Sequence, residues 1–199
     1  MSLPLPNSQP MVVAPEVSAQ EFSSAERKLL LGLAHDSICC ELEGRAISLD
    51  APTPHLGEAR GTFTSLYLHR ELRGCVGYVF PTSSLYRSVA ETARAAAFDD
   101  NRFSPISAEE APHLEIELSI LSTPQPTPIE AIEIGRHGLL LSQHGRRGLL
   151  LPQVAVEHKW DRTTFLEQTC RKAHLPPDAW QKGATVQAFT AEIFGDKTF

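Results

Sequence analysis

The sequence predicts an α+β fold, in which an antiparallel sheet is flanked by helices. Strand and helix segments are interspersed, two pairs of strand segments are separated by short hairpin-like turns, and strand–helix–strand units are scarce. The length of 199 residues suits one domain. We expect residues 19–199 to form this domain and the proline-containing residues 1–18 to form a flexible leader.

The N-terminal half predicts a helix, a hairpin and a second helix. Residues 23–41 begin with a serine followed three residues later by glutamate, which is a capping-box pattern, and continue with an apolar stripe. Residues 62–69 and 73–80 are rich in β-branched and aromatic residues and predict two paired strands. Residues 84–97 carry small apolar side chains at helical spacing, which permits close packing of this helix.

The C-terminal half predicts more strands and one helix. The expected strands lie at 114–120, 138–143, 148–151 and 183–194, and the expected helix lies at 161–174. The segment from Leu114 to Ile120 alternates strictly between apolar and polar residues, which indicates a half-buried strand. Residues 144–147 form the turn of a second hairpin, and its paired arginines indicate a solvated turn. Asp161 is the expected N-cap of the helix.

Composition excludes several classes of protein. The formal net charge of -6 disfavours nonspecific nucleic-acid binding. No apolar run approaches the roughly 20 residues of a membrane span, and the N-terminus lacks the pattern of a secretory signal, so we expect a cytoplasmic protein. The four cysteines show no spacing typical of structural zinc and are expected to be free thiols.

The segment Leu72-Arg73-Gly74-Cys75-Val76-Gly77 is the most informative part of the chain. Two glycines allow backbone or ligand to approach the cysteine closely, and an arginine two residues before it would favour the reactive thiolate. The alternative is that Cys75 is a small buried residue of a strand and the glycines mark a bulge or tight packing.

A second candidate lies in residues 99–105, which follow the second helix and are dense in polar side chains. Such a loop is a suitable place for functional residues, with Arg102 as the main candidate. The alternative is a solvated helix end in which Arg102 pairs with a neighbouring aspartate.

Seven blocks, taken together and in order, resemble one family. They are LRGCVG (72–77), AAFDDNRFSPIS (96–107), IELSIL (116–121), HGLLL (137–141), GLLLPQVAVEHKWD (148–161), FLEQTCRKAHLPPDAW (165–180) and FTAEIF (189–194). The chain resembles the AMMECR-domain family, and more closely its prokaryotic branch, the AmmeMemoRadiSam system protein A. The resemblance implies a compact two-lobed α+β domain with a central cleft that the LRGC segment lines. It also implies two partners, a Memo-like protein and a radical SAM protein.

The first functional hypothesis is a cysteine-dependent enzyme. Cys75 would be the nucleophile, His137 its base and Glu157 the residue that orients the base or acts as acid and base itself. Arg73 and Arg102 would bind a small anionic substrate, because guanidinium groups match carboxylates and phosphates. The alternative is that His137 is an ordinary surface residue, as a histidine at the entrance of a hairpin more often is.

The second hypothesis is a binding or adaptor protein without catalytic activity. Trp160 and Phe103 would then anchor a partner or substrate, although both are also compatible with core packing. The sequence contains no GxGxxG, Walker, HExxH or GxSxG pattern, so we expect neither a cofactor nor a metal. Nucleic-acid binding is disfavoured by the acidic balance and the lack of interleaved aromatic and basic residues.

Overall fold

Eight strands form two four-stranded antiparallel sheets in the computed structural model, which describes residues 21–81 and 83–198. The elements are α1 (Ser24–Glu43), β1 (Thr62–Leu68), β2 (Glu71–Tyr78), α2 (Leu85–Phe98), β3 (Leu114–Leu121), β4 (Gln125–Pro126), β5 (Gly138–Gln143), β6 (Arg146–Leu150), α3 (Pro152–Glu157), α4 (Arg162–Lys172), β7 (Thr185–Phe189) and β8 (Ala191–Gly195). The predicted α+β class is confirmed, but the strands form two antiparallel sheets in place of the one that was expected. The expected leader, residues 1–18, lies outside the described residues, and the central cleft stays a prediction.

The first sheet has the strand order β2-β1-β3-β8 and carries α1 and α2 on one face. Side chains alternate between the two faces of its strands, so that Leu66, Ile116 and Leu118 point into an apolar core shared with the two helices. In the same core, the hydroxyls of Thr64 and Thr92 share a hydrogen bond of 2.8 Å, which satisfies two buried polar groups. We call the opposite face, turned away from α1 and α2, the outer face.

The second sheet has the order β4-β7-β5-β6 and carries α3 and α4. A separate apolar cluster fills the space between this sheet and its helices, and includes Leu139, Leu141, Phe165 and Leu166. Cys170 belongs to this cluster, where burial raises the pKa of its thiol. Cys170 is therefore a packing residue.

The chain crosses between the two sheets at two neighbouring points. The predicted single strand over 183–194 is wrong, because the chain changes sheets at Thr190 and the segment forms β7 and β8. The other crossing, after β3, lies beside it: the amide of Ser122 donates to the carbonyl of Thr190, and the amide of Thr190 donates to the hydroxyl of Ser122, both at 2.9 Å. These two bonds join the crossings to each other.

Local signals in the sequence place the starts of α1 and α4 accurately, but not the second hairpin turn. Ser23 and Glu26 form the predicted capping box of α1, and Asp161 caps α4 through the amide of Thr164. The second hairpin turns over two residues, His144 and Gly145, both with positive φ, so the expected four-residue turn is too long. The paired arginines instead lie in β6. Helix α3 was not expected from the sequence.

The helices of the described chain are too short or too polar to cross a membrane.

Candidate functional site

Cys75 lies on β2, at the edge of the first sheet, with its side chain on the outer face. Its neighbour Gly74 faces α2 so closely that a Cβ at this position would lie 2.1 Å from the carbonyl oxygen of Ala96. Because side chains alternate along a strand, the thiol of Cys75 points away from the helices. The glycine therefore lets β2 rest against α2 and fixes the direction of the thiol.

A β-bulge separates Arg73 from Cys75. Leu66 pairs with Gly74 and the next residue, Tyr67, pairs with Leu72, so Arg73 has no opposite residue on β1. A bulge of this kind changes the direction in which the side chain points. The simple expectation that residues two apart share one face does not apply here.

The guanidinium of Arg73 binds the loop that follows α2. It donates to both carboxylate oxygens of Glu110, at 3.0 and 3.1 Å, and to the carbonyl of Ser104 at 2.7 Å. Arg73 thereby lowers the pKa of Glu110. The geometry gives Arg73 a structural role, and its predicted contact with a substrate stays a prediction.

Asp100 and Arg102 hold the backbone of Cys75 at the open edge of β2. The amide of Cys75 donates to Oδ2 of Asp100 at 2.9 Å, and Nη2 of Arg102 donates to the carbonyl of Cys75 at 3.2 Å. Arg102 also donates to both oxygens of Asp100, at 2.9 and 2.7 Å. An edge strand has no neighbouring strand on its open side to bond its amides and carbonyls. Here the side chains of Asp100 and Arg102 bond them instead.

The ion pair between Asp100 and Arg102 is buried at one end and open at the other. The side chain of Asp100 is 6% exposed, whereas that of Arg102 is 55% exposed. Hydrogen bonds from Arg102 are the main reason why the pKa of Asp100 lies below its ordinary range.

The thiol of Cys75 has polar neighbours on the outer face. Ser65, directly opposite on β1, donates a hydrogen bond from its hydroxyl to Sγ at 3.4 Å. Glu117 lies opposite Ser65 on β3, and Tyr67 follows Ser65 on the same face of β1. All four residues are half-buried. The row from Cys75 through Ser65 to Glu117 therefore crosses three adjacent strands.

An open cavity of about 230 Å³ lies at the Glu117 end of this row, and Cys75 is not part of its wall. Tyr67, Glu117 and Arg70 contribute to its wall, together with Glu115, Asp196 and Lys197. Burial raises the pKa of Tyr67, and the nearby charge of Glu117 raises it further. The cavity is large enough for several water molecules or a small organic molecule, at about 30 Å³ for each water.

The other predicted site residues lie around the second sheet. His137 precedes β5 and accepts a hydrogen bond from the amide of Glu133 at 3.0 Å, and burial lowers its pKa. Glu157 is exposed at the end of α3. Trp160 packs on the second apolar cluster, and its ring stacks on that of His158 with 4.6 Å between the ring centroids. Within residues 21–81 and 83–198, no hydrogen bond or ion pair joins Cys75 to His137 or Glu157.

Sequence reasoning missed four polar residues of the region around Cys75, namely Ser65, Tyr67, Asp100 and Glu117. Three of them occupy polar positions of alternating strands, a pattern that also describes any solvated sheet face. Asp100 lies in the polar loop that was recognised, but its contact with the amide of Cys75 depends on tertiary packing. The described residues include no group of three or more His, Cys, Asp or Glu side chains able to hold a metal ion.

Comparisons with known proteins agree on one family. The AMMECR1 family model matches residues 31–194. A protein of Methanopyrus kandleri is 38% identical over 190 residues, covering 89% of this chain and 92% of its own length. A protein of Methanosarcina acetivorans is 43% identical over 159 residues, covering 77% of this chain and 79% of its own. The crystal structure of an uncharacterized protein from Pyrococcus horikoshii superimposes with a TM-score of 0.69 at 37% identity, covering 85% of this chain and 90% of that one.

Proposed function

The chain belongs to the AMMECR1 family, and on that premise we propose that it is a cysteine-dependent enzyme whose reacting group is the thiol of Cys75. In this proposal the thiol loses its proton to water, the sulfur adds to a carbonyl carbon of the substrate, and the electron pair of the C=O π bond moves to the oxygen. The substrate approaches from the outer face of the first sheet, where the cavity beside Tyr67 opens.

One observation carries the proposal: Cys75 is held in place from three sides by polar side chains. Asp100 and Arg102 bind its amide and its carbonyl, and Ser65 donates a hydrogen bond to its sulfur. By contrast, Cys170 lies within the second apolar cluster, where hydrogen bonds to its sulfur come from the backbone amides of Ala179 and Trp180 and not from polar side chains. Fixing the backbone of a nucleophile restricts its side chain to a productive position.

The sequence-based roles of the second-sheet residues remain part of the proposal in a weaker form. His137 and Glu157 would act as base and orienting group only if the substrate or a partner bridges the two sheets. On the outer face, the phenol of Tyr67, which follows Ser65 on the same side of β1, is a further candidate for proton transfer. Family resemblance further supports a Memo-like protein and a radical SAM protein as the partners of the reaction.

The test is a pair of single substitutions made in the organism that carries the protein, with small-molecule profiles as the measurement. Cys75→Ser is nearly isosteric, so we expect the protein to accumulate normally while the profile becomes that of a strain without the gene. Cys39→Ser is the matched control, because Cys39 is the other half-buried cysteine and lies on α1. We expect this control to keep the normal profile.

The adaptor hypothesis predicts a different result in the same strains. A protein that only binds partners keeps its function when one sulfur becomes oxygen, provided that the fold is retained. A normal profile with Cys75→Ser, beside a changed profile in the strain without the gene, would therefore exclude the enzyme and favour the adaptor.

A further inference from the structure

The two arginines near Cys75 already have carboxylate partners. Arg73 forms two hydrogen bonds with Glu110, and Arg102 forms two with Asp100. Each pair sums to zero net charge, so neither arginine presents an uncompensated positive charge to a substrate at Cys75. This arrangement weakens the reason for expecting an anionic substrate.

Glu117 is the carboxylate on the outer face that has no such partner. The described part of the chain gives it neither a hydrogen bond nor an ion pair, although the charge of Glu117 acts on Tyr67. By contrast Glu115, two residues earlier on the same face, pairs with Lys197. Glu117 and Cys75 lie on opposite sides of Ser65, on β3 and β2. Two strand spacings therefore separate their Cα atoms by about 10 Å.

The cavity beside Glu117 carries an excess of negative charge. Its wall contains three carboxylates, Glu115, Glu117 and Asp196, and two cations, Arg70 and Lys197. Asp196 is already bound by the amide of Ile116 at 2.7 Å and by Nε2 of His35 at 3.0 Å. Arg70 lies exposed in the hairpin turn, where water solvates it, whereas Glu117 is half-buried.

From these contacts we propose that the substrate of Cys75 carries a cationic group, such as a protonated amine, that pairs with Glu117 in this cavity. The inference rests on the proposed function, since it takes Cys75 as the reacting group. A cation at Glu117 supplies the partner that the carboxylate lacks and brings the remainder of a small molecule within reach of the thiol. Tyr67, on the same wall, would contact the same molecule.

The test measures how charge on a thiol reagent changes its rate of reaction with Cys75. Three methanethiosulfonates are compared: a neutral methyl, a cationic trimethylammonium-ethyl and an anionic sulfonatoethyl reagent. In each reaction the thiolate attacks the reagent, a disulfide forms and methanesulfinate leaves. The reactions are run in 10 mM salt, where screening of charges is weak, and modification of the Cys75 peptide is followed by mass spectrometry. Each rate is divided by the rate of the same reagent with 2-mercaptoethanol.

We expect the normalised ratio of cationic to anionic rates at Cys75 to exceed one and to fall by about fourfold or more in Glu117→Gln. A unit charge about 10 Å away changes each rate by about twofold in water, and the two reagents respond in opposite directions. Glu167→Gln is the matched control, because Glu167 also has no ion pair in the described chain but lies on α4 of the other sheet. We expect this control to leave the ratio unchanged.

An unchanged ratio in Glu117→Gln, or faster reaction with the anionic reagent, would overturn the inference. In the second case Arg102 would govern the site, as the sequence alone suggested. Either result leaves the proposed enzyme intact as long as the neutral reagent modifies Cys75 much faster than Cys39. If the neutral reagent modified Cys75 no faster than Cys39, that result would count against the proposed enzyme itself.

Discussion

Replacing Gly74 with alanine is expected to lower the free energy of unfolding by about 3 kcal/mol or more. The added methyl would lie 2.1 Å from the carbonyl oxygen of Ala96 and 3.0 Å from its carbonyl carbon. Both are backbone atoms in the last turn of α2, so no side chain can turn aside to make room. The strand or the helix must shift, and Cys75 would shift with the strand.

Chemical unfolding of the purified protein measures this loss. The matched control is Gly32→Ala, since Gly32 is exposed within α1 and a Cβ there has nothing within 4 Å. Alanine is the better helix former, so we expect this control to gain about 0.5–1 kcal/mol. If Gly74→Ala unfolds like the wild type, the close approach of β2 to α2 is not present in solution.

Replacing Asp100 with alanine is expected to cost about 2 kcal/mol. The change leaves the amide of Cys75 without its acceptor and removes the carboxylate that binds Arg102. Asp99→Ala is the neighbouring control, because Asp99 pairs with Arg94 at the exposed surface, where an ion pair contributes about 0.5 kcal/mol or less. Equal losses in the two variants would contradict the special role of Asp100.

The effect of Asp100 should also depend on pH in a defined direction. Its pKa is lowered from the ordinary value of about 3.8, chiefly by the hydrogen bond from Arg102. A group with a lowered pKa stabilises the fold fully above its unfolded value, and the stabilisation is lost as the pH falls. The stability difference between the wild type and Asp100→Asn should therefore be constant from pH 5 to 7 and shrink below about pH 4. A difference that grows in acid would have the wrong sign.

The sequence was sufficient for most of the elements because their signals are local. The capping box at Ser23 and the alternation of β3 each depend on residues a few positions apart. The break at Thr190 was missed because residues 183–194 keep a strand-like composition with no proline or glycine at the crossing. Whether such a strand stays in one sheet is decided by distant partners, in this case Ser122.

The site was predictable only in part, for the same reason. The glycines around Cys75 and the polar loop at Arg102 stand out in the sequence, but the contact between them joins residues 27 positions apart. The bulge at Arg73 could not be predicted either, since it depends on how β2 pairs with β1. Glu117 looked like any polar residue on a half-buried strand until the sheet placed it across Ser65 from Cys75.

The most direct test of Cys75 as the reacting group is its rate of alkylation by iodoacetamide in the native protein at pH 7. Cys39 in the same molecule is the internal standard, since both cysteines are half-buried and mass spectrometry separates their peptides. We predict that Cys75 reacts at least about tenfold faster, because Asp100 and Arg102 fix its backbone and its thiol lies on the open outer face of the first sheet. Alkylation of Cys75 at the rate of Cys39, or more slowly, would contradict the account.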